Sequence, residues 1–207
     1  MQEPDIAKYA SLMKEVRLRT VVIHFFTTGG GHALYEPPTI ESMCLQLRKI
    51  LELIAMASLV ANKGAYSKLY DDFAKTWNAK FLLKQLKGVN ADFYPKPIVE
   101  IPSKRPGVKM DWAPMSADYL TEVEFVKVYE KCGAIMHWGN PFGSQVDYAY
   151  YRKQIPIWSR RVVNLLNSHT IRLVNDERLF LIHMKEDTDD EVHYYTFEPN
   201  QAQNGTA

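Results

Sequence analysis

What this chain lacks narrows it before any motif is considered. It has two cysteines in 207 residues, too few for a disulfide framework, and they form no Cys-x-x-Cys pair. Cys44 falls in an apolar helical run and Cys132 follows a tyrosine-rich one, so both read as reduced core thiols. No stretch approaches the roughly 18 unbroken apolar residues of a membrane span. The opening "MQEPDIAKYA" lacks the basic-then-apolar order of a signal peptide, and the expected location is cytoplasmic. Charge of one sign is also missing: 25 Lys and Arg meet 24 Asp and Glu, a net charge of +1. No global field therefore draws the protein to nucleic acid or acidic lipid, and any such binding needs a local patch. The histidines show no short metal-ligand spacing, so neither a metal nor a cofactor is expected. "TTGGGH" (27–32) carries no Gly-Lys-Ser/Thr and follows no strand, which excludes a phosphate loop and leaves a flexible linker.

What is present is mostly helical periodicity, with 46% hydrophobic residues to fill a core. Ile6, Tyr9, Met13, Val16 and Ile23 recur at helical spacing from Pro4 to about Phe26. "PPTIESMCLQLRKILELIAMASLVANKG" is apolar around most of its circumference, the mark of a central helix. Residues 66–88, 117–138 and 144–169 read as three more helices, the last bent at Pro156. A proline-rich stretch at 89–116 reads as a long loop, of the kind that often serves as a lid or binding segment. After residue 169 the period changes to two: "TIRLVN", "RLFLIHM" and "EVHYYTF" read as three short strands. The expected fold is mainly α. A five-helix bundle (1–169) carries an appended C-terminal antiparallel β-meander (170–198) and a disordered tail (199–207).

Within the central helix, Glu41, Arg48 and Glu52 are spaced by seven and four and share one side. Arg48 and Glu52 can pair at i, i+4, and a buried arginine without a partner would cost several kcal/mol. His137, closing the apolar run "YEKCGAIMHWGNPFG" with Tyr129 before it and Asn140 after it, is the expected partner docking on that pair.

These two stretches, Arg-x-x-x-Glu in "LQLRKILELIAMASL" and Tyr…Gly…His…Asn-Pro in "YEKCGAIMHWGNPF", resemble a group of bacterial helical proteins similar to the HEPN-like superfamily. The resemblance spans residues 38 to 145. It implies a helical bundle that dimerises or pairs with a protein partner, as in toxin–antitoxin and phage-defence systems, and in many members a metal-independent RNase. The catalytic motif of that superfamily is an Arg, four to six residues, then a His. Arg19–His24, Arg17–His24 and Arg178–His183 have that spacing. The first two precede the resembling stretch, and the third sits on an expected strand where an odd separation points side chains to opposite faces. No such pair surrounds His137.

Three functional readings follow. The first is a binding or interaction module built around the Arg48/Glu52/His137 cluster, with a protein partner or a second copy. The second is a metal-independent RNase with His137 as general acid/base, Arg48 stabilising phosphate charge and Glu52 beside it. In either, Tyr129, Trp138 and Asn140 would line the site. Arg152, Lys153, Arg160 and Arg161, interleaved with Tyr148, Tyr150, Tyr151 and Trp158, are the best local patch for RNA. The third reading is a small-ligand sensor with a pocket beneath the proline-rich stretch, lined by Trp112, Trp138 and the polar stripe.

Overall fold

Helical spacing in the sequence becomes five helices in a computed structural model that describes residues 3–61, 78–138, 143, 145–172, 177–184, 189 and 191–198. They are α1 (Glu3–Thr27), α2 (Glu36–Ala61), α3 (Ala79–Val89), α4 (Glu122–Ala134) and α5 (Tyr148–Leu166). With them stands a five-stranded antiparallel sheet: β1 (Lys96–Pro102), β2 (Met110–Pro114), β3 (Ser168–Arg172), β4 (Leu179–His183) and β5 (His193–Phe197), in the order β2-β1-β3-β4-β5. The described residues thus form the mainly α, α+β fold expected. Residues 62–64 closing the anticipated central segment, 66–77 of the anticipated third helix and the tail at 199–207 lie outside the described residues.

The apolar circumference of α2 explains its place. It buries Ile40, Met43, Cys44, Leu47, Ile50, Leu51 and Ile54, and the other four helices all pack on it. At about 25 cal/mol per Å² of apolar area removed from water, such a helix is the main source of burial energy. Between α1 and α2 the glycines build a close-packed turn instead of a loose linker. Gly29 sits at φ +80°, and a Cβ on Gly30 or Gly31 would collide with the Phe25 ring. α4 starts at a capping box, with Thr121 and Glu124 each bonding the other's backbone N–H. α5 is capped by Asp147 and runs through Pro156.

The expected loop at 89–116 is instead a β-hairpin, β1–β2, that widens the meander into the five-stranded sheet. Its prolines hid it, and the pairing shows why they are tolerated. β1 pairs with β3 only through Lys96 and Pro97, then with β2 from Ile98 to Pro102. No β1 residue pairs on both sides, so a missing N–H breaks little of the ladder.

The inward face of the sheet shares one core with the helices through Ile171, Phe180 and Ile182. His169, fully buried on that face, anchors the junction. Its Nδ1–H donates to the Leu166 carbonyl at 2.8 Å, which leaves Nε2 to accept the Tyr9 hydroxyl of α1 at 2.7 Å. Burial, with a smaller contribution from His183, holds His169 down at about 4, and burial likewise pushes the Tyr9 hydroxyl far up. The neutral ring is therefore part of the fold. Because the folded pKa lies below the unfolded value of roughly 6.5, the folded state binds fewer protons, and stability falls as pH drops from 6.5 through 4. The loss should approach 3 kcal/mol, on the order of 1.4 per pKa unit. Urea unfolding at a series of pH values should show this decline, flattened in His169→Gln; an equal slope in the variant would place the acid sensitivity elsewhere.

Candidate functional site

The polar stripe of α2 is satisfied by tyrosines. Arg48 Nη2 donates to the Tyr129 hydroxyl of α4 at 2.9 Å, and its guanidinium carbon lies 4.3 Å from the centre of that ring. The Tyr129 hydroxyl in turn donates to Glu52 Oε1 at 3.4 Å, and Arg48 Nε stands 3.3 Å from the same oxygen. Two turns earlier on α2, Glu41 accepts from the Tyr148 hydroxyl of α5 at 2.8 Å. Burial raises the pKa of Tyr129; Arg48 and the Ala79 backbone amide pull it back, while Glu52 adds to the rise. For Tyr148 burial again comes first, followed by the hydrogen bond to Glu41. Both phenols are therefore neutral donors at ordinary pH.

Gly133, one turn beyond Tyr129, makes room for this arrangement: a Cβ there would run into Arg48 Nη1. The neighbouring Cys132 and Cys44 are both buried and free of any disulfide, and their thiols share a hydrogen bond across the α2–α4 interface. That bond and burial hold the Cys132 thiol well above its ordinary pKa, which suits a core thiol and not a nucleophile.

His137 is not part of this cluster. α4 ends at Ala134, and His137 follows in a turn with its side chain exposed. The expected docking on Arg48 and Glu52 is thereby corrected: Tyr129, eight residues earlier and facing inward, takes that place. Trp138 stands 96% exposed beyond the helix, and Asn140 lies outside the described residues. Arg48, Glu52 and Tyr129 are brought together; no histidine joins them.

The expected RNA patch on α5 is largely neutralised. Arg160 makes a two-pronged pair with Asp118 at 2.9 and 3.0 Å, Arg161 pairs with Glu124, and Arg152 pairs with Glu36. The Arg160 bonds hold the Asp118 carboxyl below its usual range. Tyr150, Tyr151 and Trp158 pack edge-to-face on one another. A 530 Å³ groove between α4 and α5 does hold Lys127, Lys131, Tyr150 and Trp158, but Glu124 and Glu130 line it too.

The other motif candidates separate in space. Arg19 is engaged by Gln46 at 2.7 Å and Glu15 at 2.6 Å while His24 is exposed. Arg178 lies over Phe180 on the inward face of the sheet, and His183 meets Glu100 at 3.4 Å on the outward face. Among the described residues Trp112, Trp138 and the polar stripe do not come together in one pocket either. A 390 Å³ cavity between Asp92, Tyr94, Pro114, Tyr119 and Glu122 borders the hairpin, and neither Trp112, Trp138 nor the stripe reaches it. Among the described residues no group of three or more His, Cys, Asp or Glu gathers to hold a metal, and no helix is long and apolar enough to cross a membrane.

Removing the Tyr129 hydroxyl leaves a half-buried Arg48–Glu52 pair short of one partner, so Tyr129→Phe should cost about 1–2 kcal/mol in urea unfolding. His137→Ala touches nothing in the core and should stay within about 0.5 kcal/mol of wild type. Reversed magnitudes would return His137 to the cluster. Compared with protein families, curated proteins and solved structures, the chain matches none of them.

Proposed function

We propose that this protein is an interaction module that docks through the outward face of α1, pairing with a second copy of itself or with a protein partner. The observation that carries this reading is a second apolar stripe on that helix. Ile6, Tyr9, Met13, Val16 and Ile23 face the core, whereas Leu18, Val21, Val22 and Phe25 lie on the opposite side with exposures of 52, 59, 39 and 52%. Their spacing of three, one and three residues is that of a helix seam made for another helix. Single exposed aliphatic residues are ordinary, but four in one contiguous stripe mark an interaction surface. Polar groups rim it, with Glu15 and Arg19 paired beside it, as at protein interfaces generally.

Two further points favour binding over catalysis. The Arg48–Tyr129–Glu52 cluster between α2 and α4 is internally satisfied and has no histidine to move a proton. The resemblance to HEPN-like bundles, many of which work as partners in toxin–antitoxin and defence pairs, points the same way.

Light scattering after size exclusion, from about 1 to 100 µM, tests the reading. The wild type should associate, and Val21→Lys, an exposed position, should shift it to monomer with an unchanged melting temperature. A wild type that stays monomeric and captures no partner protein, or an association that Val21→Lys leaves intact, would overturn it.

A further inference from the structure

The outward face of the sheet, opposite the bundle, carries a group of side chains that the α1 interface does not use. Register alone places them together. Trp112 pairs with Glu100, Lys96 with Thr170, Thr170 with Leu181, and Leu181 with Tyr195, so all these side chains share one face with Phe197 and His183. The two edge strands then meet across it. Trp112 of β2 and Phe197 of β5 have ring centroids 5.1 Å apart, although three strands separate them in the sheet. The sheet is therefore rolled into a trough. Its floor is Ile98, Thr170 and Leu181, all buried. Its rim is aromatic and partly exposed: Trp112 is 36% exposed, Tyr195 43% and Phe197 42%. His183 stands edge-on to Tyr195 at 5.6 Å and is held on its other side by Glu100.

Cations outnumber carboxylates around this trough. The hairpin tip, "SKRPGVK" (103–109), brings Lys104, Arg105 and Lys109 with no carboxylate among them. Lys96 and Arg172 add two more cations on the outward face of β1 and β3. Arg105 is tied to Asp111 and Lys96 to Asp92. Lys104, Lys109 and Arg172 are exposed, and among the described residues no ion pair occupies them. The acid that faces the trough, Glu100, is engaged by His183.

We propose that this trough binds single-stranded nucleic acid, bases stacking on Trp112, Tyr195 and Phe197 and phosphates lying along Lys104, Lys109 and Arg172. Aromatic rims accept any base because every base has a π-face, and a cationic border holds the backbone without reading sequence. A duplex would not fit, since its bases are already stacked on one another. A neutral or basic partner would leave the cations unanswered.

The test is fluorescence anisotropy with labelled 12-nucleotide oligo-U and oligo-dT at 50 and 200 mM salt. Binding of either strand is expected, weaker at the higher salt because phosphate contacts release counterions. RNA and DNA are distinguished by which of the two binds more tightly. The double variant Lys104→Glu/Lys109→Glu, at an exposed hairpin tip, should weaken binding about tenfold or more and flatten the salt dependence. Trp112→Ala should weaken it by roughly tenfold, with melting followed to verify the fold. Arg152→Glu on α5 should leave affinity unchanged. Absence of binding by both strands at 100 µM protein, or a loss in Arg152→Glu without one in the hairpin variants, would overturn the proposal. Because Val21→Lys alters only the α1 stripe, it should bind oligonucleotide as wild type does, so failure of the α1 reading and of this one remain distinct.

Discussion

A guanidinium held between two helices needs acceptors there to replace the water it gives up, and the half-buried Arg48 is so held. α2 is apolar around most of its circumference and has to sit at the centre, yet it brings Glu41, Arg48 and Glu52 with it. The partners for that stripe dictate how the neighbours lie. Tyr129 must come level with Arg48 and Glu52, which places Gly133 beneath the guanidinium and Cys132 against Cys44. Tyr148 must come level with Glu41, which sets the start of α5. The aliphatic side chains provide most of the energy of the core, but they would tolerate a slip of a turn. The hydrogen-bonded stripe does not.

A second polar contact joins bundle and sheet. Tyr9 and His169 are both sealed from water, and each satisfies the other while the ring stays neutral. An apolar pair of similar volume would pack as well, but it would not fix which residue of β3 faces which turn of α1. Three tyrosine contacts, one to a charge pair, one to a carboxylate and one to an imidazole, thus specify how α4 and α5 lie against α2 and how the sheet lies against α1.

How much of this was legible in the sequence differs from element to element. α2 could be read in full, because its apolar surround and its Glu41–Arg48–Glu52 stripe are properties of one segment. The three strands of the meander could be read for the same reason. The start of α4 was also on the page: Thr121-x-x-Glu124 is a capping box, and it outranks the looser apolar pattern that suggested a start at 117. The β1–β2 hairpin was hidden, since Pro97, Pro102 and Pro114 argue against strands unless pairing is known to be one-sided. The partner of Arg48 was misassigned for a chemical reason. A histidine announces itself as ionisable, whereas a tyrosine on an apolar face passes for core, although its hydroxyl does the polar work. The ties of Arg160 and Arg161 to Asp118 and Glu124 join segments some forty residues apart, and no local pattern reveals such a pair.

The divided pairing of β1 has a mechanical side. Where most sheets are plates, with every inner strand stitched on both edges, this one is a plate with a cantilever. The arm from Ile98 to Pro114 is clamped at its root by a two-residue ladder at Lys96 and Pro97. Its elevation above the plate is set by struts instead of by backbone: Trp112 against Phe197 at the far edge, and Glu100 against His183 nearer the root. A beam held in this way bends about its clamp when a strut is loosened, while the plate behind it stays flat. Among the described residues the arm is thus joined to the body by two paired residues, and its rest position is written in four side chains.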